Sequence, residues 1–255
     1  ISVATARSLS ETTEGTVTGT ITSGTTIAAI LDENTGLIET DAYTITIAAG
    51  DAEATATNLT ALYGKTSVAV DASAVTQITG TVAEANIVYA AGSSEITGLG
   101  NEIVVTTESS LADVTALNTL DGNTTGTVNT ATITSITGTL AKLLTAYGSN
   151  GITGLGNEAI TVSDTITLAA SDLNSLDSKT SGTVTTSTSL ATLTGTVAEL
   201  NTAYGSSGLS IDGDEAITIS DTTVDAEALN VLNNYTSGVI LSLIHISEPT
   251  RQASI

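Results

Sequence analysis

The residues of this chain that could do chemistry are carboxylates. Asp212 and Asp214 flank Gly213, and Glu215 follows directly. Asp164 recurs one repeat later as Asp221, and the pair Asn157–Glu158 is echoed by Asn101–Glu102 and Asp214–Glu215. Calcium takes about six to eight oxygen ligands, and side chains at the turns of a repeat can supply them. Asp212, Asp214, Glu215, Asp164 and Asp221 are therefore the candidate metal ligands, with weakly bound calcium, of the millimolar class, as the one candidate cofactor. Neither an EF-hand loop nor a Gly-Gly-x-Gly-x-Asp nonapeptide is present, so the competing expectation is a solvated acidic face.

Catalysis finds no other material. The chain has no Cys and a single His, His245, which excludes a Cys-His dyad and a native Ser-His-Asp triad. A Ser-x-x-Lys motif is absent, because Leu62, Thr139 and Leu176 stand three residues before the three lysines. Carboxylate pairs could serve a glycosidase, but here the acids recur with the sequence period. No catalytic residue is expected, and the chain reads as a non-enzyme. The run GITGLGNE from Gly151 lacks the Lys-Ser/Thr of a P-loop and reads as a tight turn between a helix and a strand.

Composition narrows the partners. Among 255 residues, 27 are Asp or Glu and 5 are Lys or Arg, for a net charge of −22. Such a surface repels phosphate, so nucleic acid is not expected. No apolar run approaches the ~20 residues of a membrane span. Aromatics are 2% of the chain, so any core must be built from Val, Ile, Leu and Ala. A mean hydropathy of +0.29 with abundant Thr argues against a disordered acidic tail.

What positions these acids is an internal repeat. TGTVAELNTAYG from Thr194 restates TGTLAKLLTAYG from Thr137 and, in eroded form, TGTVAEANIVYA from Thr79. A second unit, SDLNSLDSKTSGTV from Ser171, matches VTALNTLDGNTTGTV from Val114. The central apolar positions are Leu59, Ala85, Leu117, Leu143, Leu173, Leu200 and Leu229, and the steps between them are alternately short and long. Two half-units thus make a repeat of about 57 residues, a length typical of stacked supersecondary units. The repeats span 41–238. Residues 1–40 read as a degenerate edge unit.

Each half-unit predicts a short helix and an extended stretch. Val197, Leu200 and Tyr204 form an i, i+3, i+7 stripe, and Ala169, Leu173 and Leu176 nearly so. Thr81 with Glu84 and Thr196 with Glu199 spell capping boxes, and Gly148 and Gly205 sit where a left-handed C-terminal residue is expected. Tyr89, Tyr147 and Tyr204 recur with the period and read as a packing column. Thr-x-Thr triplets, such as Thr165/Thr167 and Thr183/Thr185, predict strands with Thr on the outer face. A unit this small cannot bury its apolar face alone. The expected fold is a β-rich tandem-repeat solenoid with short helices, a mixed α/β repeat array. The alternative is a string of small α/β modules.

The phrases TLTGTVAELNTAYGSSG, ITGLGNEAITVSDT and LNSLDSKTSGTV resemble the tandem repeats of giant cell-surface or secreted proteins of marine picocyanobacteria and related bacteria, including motility- and adhesin-type proteins. The resemblance implies an extracellular or cell-surface location and a structural task, with neighbouring repeats as the main partners and surface polysaccharide or other surface proteins beyond them. It implies no catalytic residue. The expected function is a spacer, coat or adhesin-stalk segment; the alternative is a calcium-dependent or ice-binding adhesin module. After Gly238 the repeat breaks off. LSLIHISEPTR resembles translated sequencing adapter, so 239–255 read as a non-native tail in which His245, Glu248 and Arg251 form no site.

Overall fold

In the repeat region, strands too short to stand alone lead into short helices of two to three turns, and neither survives without its neighbours. A computed structural model describes residues 1–38 and 41–242. Its helices are α1 (Val3–Thr12), α2 (Ile27–Leu31), α3 (Ala56–Tyr63), α4 (Val82–Ala90), α5 (Val114–Asn123), α6 (Leu140–Gly148), α7 (Ala170–Asp177), α8 (Val197–Gly205) and α9 (Ala226–Asn233). The chain divides into two units, Ile1–Thr134 with Gly148–Leu155, and Ser135–Tyr147 with Gly156 onward.

In the first unit, five strands lie in the order Ile152–Thr153, Val128–Asn129, Ile103–Thr106, Gln77–Gly80, Glu53–Thr55. All are parallel, with Ala54, Ile78, Val104, Val128 and Ile152 in register. Helix α2 packs on α3, α3 on α4 and α4 on α5. In the second unit, one run is Leu209–Ser210, Val184–Thr185, Ala159–Val162, Ser135–Gly138, again parallel. The other is Thr167–Ala169, Thr192–Gly195, Ala216–Ile219, Ile240–Ser242. Helix α7 packs on α8 and α8 on α9.

Strand partners such as Ile136 with Ile160, or Ile160 with Val184, stand closer in sequence than the average half-unit is long. The mismatch has a structural solution. The short half-unit ending in α8 holds two strands, Val184–Thr185 and Thr192–Gly195, whereas the long one ending in α7 holds three. The extra strand, Thr167–Ala169, founds a new sheet. Glu53–Thr55, two repeats earlier, founds the sheet of the first unit in the same way.

The expected β-rich solenoid is corrected by this architecture. The chain is an α/β fold with parallel sheets, and more of its described residues are helical than extended. Parallel neighbours need a crossover of about a dozen residues or more, commonly a helix, and the Thr-rich composition hid that requirement. A string of separate modules is corrected too, because within each unit every sheet draws its strands from successive half-units.

The helices bury residues at i, i+3 and i+6 rather than i+7. The sets are Val82, Ala85 and Val88; Val114, Leu117 and Leu120; Ala170, Leu173 and Leu176; Val197, Leu200 and Ala203. Two turns pressed against a sheet need no wider stripe, which leaves Tyr204 partly buried beside it. Both capping boxes form as read. Gly148 and Gly205 are the last residues of their helices and are not left-handed.

Candidate functional site

The recurring acids and tyrosines meet. Tyr89 Oη donates to Glu102 Oε2 at 2.9 Å, and Tyr147 Oη to Glu158 Oε2 at 2.6 Å. Tyr204 donates to Glu215 in the same way. All three glutamates are buried, so the solvated acidic face does not include them. A buried carboxylate needs several donors to offset its lost hydration. The second donor is the backbone N–H two residues earlier: Gly156 reaches both Glu158 oxygens at 3.0 and 2.8 Å. Gly100 does the same for Glu102 at 3.0 and 2.9 Å, and Gly213 reaches Glu215 at 3.1 Å. Gly100 and Gly156 hold φ values of +130° and +134°, a conformation that only glycine adopts without strain. The run GITGLGNE is thus a carboxylate clasp between two strands, rather than a turn between a helix and a strand.

The next half-unit closes the first two clasps, and in the third Thr236 Oγ1 donates to the Gly213 carbonyl at 3.0 Å. Thr124 Oγ1 donates to the Glu102 carbonyl at 2.8 Å, and Thr180 Oγ1 to that of Glu158 at 3.3 Å. Each threonine also accepts from the N–H of Gly126 or Gly182 at 3.0 Å. A Cβ on Gly126, Gly182 or Gly238 would collide with the carbonyl of Glu102, Glu158 or Glu215. This close approach explains the T-x-G in TTGTV, TSGTV and TSGVI. Burial first, then the adjoining carboxylate, pushes the phenols of Tyr89, Tyr147 and Tyr204 well above their usual value of 10.0.

A second set of acids anchors helix N-termini. The first amide of α8, Val197 N–H, donates to Asp221 Oδ2 at 2.7 Å, and Leu140 N–H of α6 to Asp164 Oδ2 at 2.7 Å. Val82 N–H finds Glu108 at 2.7 Å. In each case a negative charge from the following half-unit meets the positive end of the helix. A third set forms hooks: Ser149 and Ser206 donate to Asp121 and Asp177 at 2.7 Å, and then accept from Gly151 and Gly208. Amides make the fourth. Asn86, Asn174 and Asn201 donate to the carbonyl of the third residue of the next helix, Ala116, Glu199 and Ala228, at 2.9, 3.0 and 3.0 Å.

The five candidate calcium ligands therefore disperse among different tasks. Glu215 belongs to a clasp, Asp164 and Asp221 hold helix N-termini, and Asp212 and Asp214 are exposed at the turn before Glu215. Among the described residues, no group of three or more His, Asp or Glu side chains converges as a metal would require. No family model matches this chain, and neither does any curated protein or solved structure. No helix among the described residues is long and apolar enough to cross a membrane.

Threonines of the Thr-x-Thr triplets pair in register, as Thr167 with Thr192 and Thr194 with Thr218, and Thr185 ends a rank begun by Thr137 and Thr161. His245, Glu248 and Arg251 lie outside the described residues. The clasps are invisible to a reading that follows the tyrosines and the acids as separate columns. The available signal is their shared period, which pairs Tyr89 with Glu102, Tyr147 with Glu158 and Tyr204 with Glu215 at nearly constant spacing. In the N-terminal region a different lock appears. Asp41 accepts from Ser10 at 2.5 Å, from Tyr43 at 3.1 Å and from Val17 N–H at 2.9 Å, and the Ser10 bond leads in holding its carboxyl below the usual range.

Proposed function

We propose that this chain is a non-catalytic structural segment, a spacer, coat or adhesin stalk of a large extracellular bacterial protein, whose partners are neighbouring copies of its own repeat. One observation carries the reading. The polar residues that recur with the sequence period join one half-unit to the next, in clasps, helix anchors, hooks and amide bonds, instead of converging on a shared ligand. A catalytic pair would break that regularity, whereas a scaffold restates it. Absent cysteine and a −22 charge suit an extracellular structural role.

The test is mechanical. Stretched by its ends, the chain unfolds in successive steps, each releasing at most about 200 Å per repeat, from ~3.3–3.6 Å per residue, and refolds on relaxation. Extension at negligible force without steps contradicts a load-bearing role. Specific retention on insoluble polysaccharide, lost on mutation of a surface patch, would move the reading to a binding module.

A further inference from the structure

Among the described residues, the C-terminal face of the second unit carries an unfilled copy of an interface that the same chain fills one repeat earlier. Helix α9 restates α7, with Leu229 for Leu173, Asn230 for Asn174 and Leu232 for Leu176. Leu173 is wholly buried under α8, and Asn174 donates to Glu199 of α8 at 3.0 Å. Leu229 is only half-buried and Asn230 is exposed. The strand that founds a sheet is missing its counterpart as well. Thr167–Ala169 pairs with Thr192–Gly195 of the next half-unit, with Leu168 and Leu193 buried in register. The equivalent run Thr223–Asp225 forms no strand, and Val224, the counterpart of Leu168, is half-buried. Between these elements lies a cavity of about 450 Å³ lined by Ile219, Thr222, Val224, Ala226, Leu229 and Ser242 among others.

We propose that this face is a docking surface for one further short half-unit of the same repeat, a strand and helix equivalent to Leu190–Gly205. Its strand leucine, the counterpart of Leu193, fills the cavity beside Val224. Its helix covers Leu229, and the carbonyl of its third helical residue accepts from Asn230. The internal repeat supplies the argument for the occupant: this chain seats that segment on the matching face of α7. The upstream strand is in place although it begins the 239–255 stretch that reads as a non-native tail in the sequence: Ile240–Ser242 pairs with Ile217–Ile219 as Val184–Thr185 pairs with Ile160–Thr161. Ser242 therefore stands where Thr186 does, and the docking segment follows from it in register.

The proposal rests on the structural-array reading, and its test is separate. A copy of the 187–205 sequence is inserted after Ser242 of the full chain, alongside a control insertion whose counterparts of Leu193 and Leu200 are Asp. Hydrogen exchange at Leu229–Leu232 is expected to slow about tenfold or more with the first insertion and to stay unchanged with the control. Adding Asn230→Ala to the first insertion should remove part of the gain. Exchange around Tyr147 and Glu158 reports that the inserted chains are folded. Unchanged exchange at Leu229–Leu232 in folded protein, or equal slowing by both insertions, overturns the proposal. So does concentration-dependent dimerisation of the unmodified chain that Leu229→Asp abolishes, because a second copy would then be the occupant. Either failure leaves the stretching result for the unmodified chain standing.

Discussion

The eroded repeat around α4 and the full one around α8 differ in what they keep. Both retain the capping box, the half-buried tyrosine and the tyrosine–glutamate clasp. In the full copy, α8 ends at Gly205, and the hook of Ser206 on Asp177 turns the chain into the next strand. In the eroded copy the sequence reads AAGSSE, a 3₁₀ turn Gly92–Ser94 replaces the hook, and the path from Tyr89 to Glu102 is longer than that from Tyr204 to Glu215. A cavity of about 300 Å³ opens there, lined by residues including Val88, Tyr89, Ile96 and Leu99. The clasp survives a change of length and the hook does not. The clasp is therefore the fixed point of the repeat, and the hook is one of several ways to reach it.

That ranking can be broken by mutation. The largest loss belongs to the shared core: Leu173→Ala in the second unit should cost about 2–5 kcal/mol, measured by urea unfolding, because the cavity lies between α7 and α8 and cannot collapse freely. Next come the clasps. Tyr147→Phe and Tyr89→Phe should each cost about 1–3 kcal/mol, since a buried carboxylate oxygen loses a donor. Similar values for the two would confirm that the eroded clasp is a working one, and a negligible cost at Tyr89 would make it vestigial. Ser206→Ala, which removes only a hook, should cost about 0.5–1.5 kcal/mol.

The phenols sharpen the same comparison by pH. Their folded values are raised above the unfolded value near 10. The folded state thus holds protons that the unfolded state releases, and stability declines as pH climbs above about 10. Below that value the contribution is fully present. Thermal melts between about pH 9 and 11.5 should show the decline, and Tyr147→Phe should make it shallower. A slope indifferent to that substitution would mean that the clasps do not hold in solution.

The parts legible in the sequence were those with a long period or a local signature. The repeat itself, the boxes at Thr81–Glu84 and Thr196–Glu199, and the leucine positions Leu117, Leu173 and Leu200 could all be read, and all three leucines are buried. Leu229 reads in the sequence as an equivalent buried position but is only half-buried, because its burial depends on a neighbour and not on its own segment. The parallel sheets left little trace. Strands of two to four residues are too short to show alternation, and parallel pairing carries no hairpin signal. The acids were ambiguous for a physical reason. Oxygen-rich residues at turns suit a cation or a set of backbone N–H donors equally well, and composition does not distinguish the two. Asp164 and Asp221 took the amides of α6 and α8, and Glu215 took Gly213 N–H and Tyr204.

The central claim is that successive half-units within a unit share one core. Residue-resolved hydrogen exchange on Leu173→Ala tests it most directly. Shared packing predicts that protection falls in α7 and also in α8 and the strand Thr192–Gly195, both of which belong to the following half-unit. Loss confined to α7 and the strands of its own half-unit, with α8 protected as before, would contradict it.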